Sequence, residues 1–295
     1  MTASCRQAPE GASLESSGTP QAGTSEDLTA GGDPAGRPAD SGYDFSAPSA
    51  RHPLPDELKE VSSVAPLGGT KLVVNEDNRG RVYVLDAQSG KVLNEVKFGK
   101  KGDFEEVEPV GGALYVLRSD GTLFALQSGW ESGNEQVDEY ELDLPKGCDA
   151  EGLAYHTGSH RLLVSCKEDP GKGIKDARAI YAYDIEAGKV GEEPEFVIPF
   201  DEIARVAGID EKDAEDFKPS AMAFHPVTGD LYVLSSVLKV IVVLGPSGEI
   251  LRVDKLDGDL LEQPEGIGFL PNGDMLISSE GQKRPAMLVS YTFTG

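Results

Sequence analysis

The sequence predicts an all-β fold: a five-bladed β-propeller with four-stranded blades, its ring closed by an N-terminal strand. Three observations carry that expectation. A short pattern returns five times at blade-like intervals, short apolar runs are punctuated by glycine and proline, and one inner-strand position stays small while its neighbours are bulky.

The pattern is Ser62-Ser63-Val64, Glu105-Glu106-Val107, Glu151-Gly152-Leu153, Ser220-Ala221-Met222 and Glu265-Gly266-Ile267, at intervals of 43, 46, 69 and 45 residues. Periods in the mid-forties suit a blade of four strands. The long interval is one such unit with about 24 additional residues, placed at 201–217, where Ile203, Ala204, Val206 and Ala207 mark a short helix. A six-bladed ring is the alternative count.

Four strands can be read within each unit. In the first they span 61–67, 71–76, 81–86 and 91–98, and in the second 105–110, 113–118, 122–127 and 138–144. The fourth unit shows its turns best, at His225-Pro226-Val227-Thr228-Gly229 and Gly245-Pro246-Ser247-Gly248.

Along the first strand of a unit one face carries Leu153 and Tyr155, Met222 and Phe224, or Ile267 and Phe269. The other carries Gly152 and Ala154, Ala221 and Ala223, or Gly266 and Gly268. Strands nearest a propeller axis are crowded, so a small face must receive the bulky face of the next blade. A β-sandwich has no such need. The fifth unit reaches only its third strand, 287–293, and Tyr43-Asp44-Phe45 is expected to supply the fourth and close the ring.

Residues 1–42 contain two large aliphatics, Leu14 and Leu28, and no aromatic, too little apolar surface to fold, so they read as a disordered tether ahead of a propeller over 43–295. The tether begins Thr2-Ala3-Ser4-Cys5, small residues before a cysteine and a polar linker, which reads as a lipoprotein cleavage site with Cys5 the lipidated residue. The expected location is the cell envelope, outside the cytoplasm, with membrane contact only through that lipid anchor. No apolar run approaches the eighteen or so residues of a membrane helix.

Of the net charge of −24, residues 1–50 contribute 2 basic and 7 acidic side chains, so most of the excess lies on the propeller. Such a surface repels phosphates and anionic headgroups and excludes nucleic acid as a partner. It suits either a halophilic setting, where salt screens the repulsion, or an ordinary acidic secreted protein. Cys148 and Cys166 flank one predicted hairpin. The inferred register offsets them by about three residues, which favours two separate thiols over a disulfide unless the segment before Glu151 curls back.

The repeat also locates chemistry. Residues that begin the first strands, Ser62, Glu105, Glu151, Ser220 and Glu265, should ring one mouth of the central channel. Two residues earlier stand Glu60, Asp103, Asp149, Lys218 and Gln263, and the returning second strands add Glu76, Arg118, Lys167, Ser236 and Glu280. Acidic side chains outnumber basic ones there. Glu105, Glu151 and Glu265 are the candidate ligands of Ca²⁺ or Mg²⁺, which take oxygen donors, and Glu60, Asp103, Arg118, Asp149, Lys167, Ser220 and Glu280 are the candidate ligand-binding residues. The competing arrangement is a solvated, internally paired plug. His52, His156, His160 and His225 fall in turns or loops, Trp130 reads as a loop anchor, and neither a zinc triad nor a Ser-His-Asp set can be assembled.

Leu54-Pro55-Asp56-Glu57-Leu58-Lys59-Glu60-Val61-Ser62, Gly102-Asp103-Phe104-Glu105, Ala150-Glu151-Gly152-Leu153, Lys218-Pro219-Ser220 and Gln263-Pro264-Glu265-Gly266-Ile267 together resemble segments of the SdiA-regulated (YjiK-like) family of bacterial envelope propellers. That family is similar in turn to proteins with esterase-like activity of phytase. The resemblance implies a propeller, an envelope location and a bound calcium. Glu106 departs from the pattern, standing where a glycine would follow Glu105.

The function expected from these readings is an envelope-anchored binding or scaffold protein that holds a small ligand, a cation or an envelope partner at the acidic mouth. The alternative is a calcium-dependent hydrolase of the phosphoesterase or lactonase type, with a carboxylate such as Glu151 as base. The sequence assigns no catalytic residue.

Overall fold

A computed structural model describes residues 42–133 and 136–295. Strand β1 (Ala50–Pro53) comes first in the chain. Blade 1 follows as β2 (Ala65–Gly68), β3 (Lys71–Asn75), β4 (Arg79–Asp86) and β5 (Val92–Lys101), and blade 2 as β6 (Phe104–Val110), β7 (Ala113–Arg118), β8 (Thr122–Leu126) and β9 (Val137–Glu141). Blade 3 contains β10 (Ala150–His156), β11 (Arg161–Cys166) and β12 (Ala177–Asp184), and its outer strand is broken into β13 (Lys189–Val190) and β14 (Phe196–Pro199), which both pair with β12. Blade 4 is β15 (Pro219–Phe224), β16 (Leu231–Ser235), β17 (Val240–Leu244) and β18 (Ile250–Lys255). Blade 5 is β19 (Pro264–Phe269), β20 (Met275–Ser279) and β21 (Met287–Tyr291), with β1 as its fourth strand.

These five sheets form a five-bladed propeller, the count that the repeat predicts. The insertion also falls where expected, as α1 (Phe200–Ala207) and α2 (Glu211–Ala214) between blades 3 and 4. Blade 1 departs from its predicted strands at the inner edge. Of the predicted strand over 61–67, regular pairing covers Ala65–Gly68, and a single bridge, Val61 to Glu76, precedes it.

The core lies between blades and not within one. Val84 and Val96 of blade 1 meet Val116 and Phe124 of blade 2, and Leu163 and Ile180 of blade 3 meet Met222 and Val233 of blade 4. Leu58, fully buried in a short 3₁₀ turn, seals the seam between blades 5 and 1 with Leu276 and Leu288. The small inner-strand face has the predicted cause. A Cβ at Gly152 would lie 2.8 Å from Met222 Cγ in the next blade, and one at Gly266 would lie 2.7 Å from the backbone of Ser63.

Ring closure differs from the expectation. β1 pairs antiparallel with β21, Ala50 opposite Ser290 and Pro53 opposite Met287, so residues 50–53 and not Tyr43-Asp44-Phe45 close blade 5. The sequence Ala-Arg-His-Pro lacks apolar alternation, because an outermost strand needs only its backbone bonds. Tyr43 instead inserts its ring between blades 4 and 5, where its hydroxyl donates to Gly273 O at 2.6 Å.

Cys148 and Cys166 are joined as a disulfide with Cα atoms 4.6 Å apart. Ala150 is the register partner of Cys166, and Asp149, in the left-handed region at φ 54°, folds Cys148 back toward it. That curl removes the offset that argued for separate thiols. The tether and Cys5 lie outside the described residues, in which no helix is long and apolar enough to cross a membrane.

Candidate functional site

At the start of each inner strand in blades 2 to 5 the pairing slips. The register shifts between Phe104 and Glu106, Ala150 and Leu153, Pro219 and Ala221, and Pro264 and Gly266. A β-bulge re-aims the side chain at the slipped position. The slipped positions hold Glu105, Glu151, Ser220 and Glu265, so the repeated motif in the sequence is a repeated bulge in the fold.

Three of those side chains gather around one ammonium. Lys167, directly after β11, donates to Glu151 Oε1 and also acts on Glu105 and Glu265. Burial pushes the Glu105 carboxyl far above the usual carboxylate range, and the neighbouring Glu151 and Asp103 add to this. Glu151 is raised less, because Lys167 opposes the effect of burial. Burial alone would lower Lys167, yet Glu151 beside it leaves the ammonium above its ordinary value. Glu151 also stands close enough to the Glu105 carboxyl to raise it further. Glu265 is raised by burial and steadied by Gln263 Nε2 at 2.9 Å, and Ser220, itself buried, lies close to it.

A second carboxylate group sits on the blade 1 side of this mouth. One ligand oxygen each from Glu60, Glu76 and Asp77 can be chosen so that all lie within 4.8 Å of one another. Asn78 holds them together, with Nδ2 donating at 2.6 Å to both Glu60 Oε2 and Asp77 Oδ1 and its backbone N–H donating to Glu76 Oε2 at 3.3 Å. Glu76 is almost fully buried, and Arg79 Nε lies 3.4 Å from its Oε1. Burial followed by repulsion from Glu60 and Glu76 raises Asp77 to about 6. Burial followed by repulsion from Glu265 and Asp77 raises Glu280 to about 7. The two carboxylate groups are thus electrostatically continuous through Glu280.

Asp77 and Asn78 are the residues that strand-end arithmetic missed. Their signal was the polar run Asn75-Glu76-Asp77-Asn78, which extends past the strand end at the mouth. Arg118 turns away from the site, because Asp120 captures its guanidinium with two bonds, at 2.9 and 2.7 Å. Asp103 is exposed and accepts from Ser119 Oγ at 2.8 Å, while Asp149 serves through its backbone carbonyl, which takes the Lys167 N–H at 2.9 Å. Lys218 pairs with Glu168. Asn75 is fully buried and donates to Phe104 O at 2.7 Å, so it is committed to the scaffold. His225 and His156 brace turns, His225 Nδ1 accepting the Thr228 N–H at 3.0 Å and His156 Nδ1 that of Ser159 at 3.2 Å. Trp130 is a buried loop anchor.

Solved structures of similar shape include Myxococcus xanthus glutaminyl cyclase (TM-score 0.56, 14% identity, 83% of this chain and 94% of that one). Another is a luciferin-regenerating enzyme (TM-score 0.51, 12% identity, 84% and 96%). At these identities the likeness shows the fold alone. A stretch of 135 residues, 45% of this chain, is 29% identical to a potassium-transporting ATPase ATP-binding subunit of Caldanaerobacter subterraneus subsp. tengcongensis, of whose length the match spans 18%. The SdiA-regulated family model matches residues 68–282, which take in the four bulges of blades 2 to 5 and the mouth carboxylates from Glu76 to Glu280, Glu60 lying just before it. On that match the chain belongs to the SdiA-regulated family of β-propellers.

Proposed function

We propose that this protein is a cation-dependent binding protein of the cell envelope, with Ca²⁺ or Mg²⁺ held at the acidic mouth. The observation that carries the reading is the Glu60, Glu76 and Asp77 cluster, three carboxylates within 4.8 Å and tied by one asparagine. Hard divalent cations take several oxygen ligands, and repulsion that raises Asp77 and Glu280 is relieved when a cation enters. The trio of Glu105, Glu151 and Glu265 already has Lys167 among it, so the cation belongs on the blade 1 side, with Glu280 facing it. A bound ion would leave coordination positions open to a small anionic ligand or a partner's carboxylate. The disulfide supports an oxidising compartment, in keeping with lipid anchoring at Cys5.

Calorimetric titration of the chelator-treated protein with CaCl₂ tests this. One saturable site is expected, lost in Asp77→Asn and retained in Arg118→Ala, whose side chain points elsewhere. Binding that survives both Asp77→Asn and Glu60→Gln would place the cation, if any, outside this cluster.

A further inference from the structure

The opposite end of the same channel holds a different kind of cavity. It encloses about 490 Å³ and is lined by the middle and far ends of all five inner strands. Its walls are largely apolar, including Met222, Ile267, Phe224 and Phe269. Two acidic side chains line it, Glu106 and Glu108, and it has no lysine or arginine in its described lining.

Glu106 is the anomaly. Its equivalents in the other blades are Ser63, Gly152, Ala221 and Gly266, all small. Its side chain is 2% exposed, and Oε2 has no hydrogen-bond partner among the described residues. The backbone N–H groups of Val107 and Met222 approach the carboxyl, and Glu108 Oε1 is taken by the Tyr155 N–H at 3.1 Å. Burying a carboxyl with an unfilled acceptor costs several kcal/mol where a glycine would cost nothing of the kind. The fold therefore carries an acceptor at the inner wall of an apolar, aromatic-bearing cavity.

We propose that this cavity binds a small organic ammonium cation, its charged head on Glu106 and its body against Met222, Ile267 and the rings of Tyr155, Phe224 and Phe269. A bare divalent ion is a poor occupant, because it needs six or more oxygens and this lining is mostly carbon. An alkylammonium needs one carboxylate and gains from aromatic faces. Burial, reinforced by Glu108, raises the Glu106 carboxyl well above the usual carboxylate range, a penalty that an arriving cation offsets. The other titratable groups facing the cavity are Glu108, Tyr155, His156 and His225, and His225 has both ring nitrogens engaged, by Tyr43 and by the turn it braces.

The test titrates the full chain with choline, with butylammonium, and with the neutral isostere of choline in which carbon replaces nitrogen. At least one cation should bind saturably, about tenfold tighter than the neutral isostere. Glu106→Gln should remove that preference, and Glu106→Gly, which restores the residue type of blades 3 and 5, provides a variant expected to fold if the glutamine does not. Glu151→Gln, at the other mouth, should leave it intact. Equal affinity for cation and isostere, no saturable binding of either cation, or a preference that persists in both Glu106 variants overturns the proposal.

Discussion

Lys167 donates to Glu151 one residue beyond the disulfide-bonded Cys166, so a covalent tie and a buried ion pair close the same end of the β10–β11 hairpin. The lysine is about one-third exposed and the glutamate almost wholly buried. Their roles are therefore unequal: the glutamate depends on the lysine more than the reverse.

Replacing Lys167 by Met should leave Glu151, and Glu105 behind it, without a counter-charge. A fully buried pair broken in this way costs more, but partial exposure of the lysine reduces the expected loss to about 2 kcal/mol near neutral pH. The loss should shrink at acid pH, where the carboxyls take up protons instead. Urea denaturation at the two pH values checks this, and a pH-independent loss would mean that packing of the lysine stem is what matters.

The wild-type protein should be more stable near pH 5 than near pH 8. Asp77, Glu280 and Glu108 are raised in the fold to about 6, 7 and 8, so the folded chain holds protons that the unfolded chain releases. Their contribution is fully present below the unfolded carboxylate range and is lost as pH rises through the folded values. On the other side Asp120, lowered to about 2 by Arg118, contributes stability that disappears as pH falls toward that value. Melting temperatures measured with chelator should therefore peak on the acid side of neutrality. A maximum at pH 8 would show that these carboxyls are not held as the fold implies.

Removal of the disulfide by Cys148→Ala with Cys166→Ala should cost about 3 kcal/mol, the chain-entropy value for a loop of 18 residues. Because Lys167 follows Cys166 directly, the double variant should also weaken the effect of Lys167→Met. Additive losses in a double-mutant cycle would separate the tie from the ion pair.

The ring was legible in the sequence because the blades repeat a length of about 45 residues, once with an insertion, and four of the five keep a small residue at one inner-strand position, where Gly152 and Gly266 receive the chain of the next blade. The mouth was legible in outline, since strand starts map to one end of a channel. What escaped notice were features set by backbone geometry. The curl at Asp149 that brings Cys148 to Cys166 depends on a left-handed residue, and aspartate announces that conformation less clearly than glycine. Arg118 was lost to Asp120, a local contact that strand-end counting ignores. β1 escaped because backbone pairing leaves no apolar pattern.

The surface charge predicts a salt response. With 51 acidic against 27 basic side chains, screening should raise the melting temperature steadily from low to molar KCl. Asp77→Asn should blunt the low-salt part of the rise by removing one member of the most crowded cluster. An unchanged melting temperature across that range would mark the charge as evenly paired or well solvated, and would argue against a halophilic setting.

Ring closure can be dissected by where the chain begins. Starting at Gly42 keeps every described contact. Starting at Ser49 removes Tyr43, with its buried ring and its 2.6 Å bond to Gly273 O, at an expected cost of about 2–4 kcal/mol. Starting at Leu54 removes β1 as well, and with it the bonds that join Ala50–Pro53 to β21. The freed edge of β21 then offers unpaired backbone groups to another molecule, so this shortest chain should be less stable again and should associate. Urea midpoints and light scattering of the three chains separate the two losses. If the chains from Ser49 and Leu54 prove equally stable and equally monomeric, β1 contributes nothing to closure, and Tyr43 alone would fasten the end of the ring.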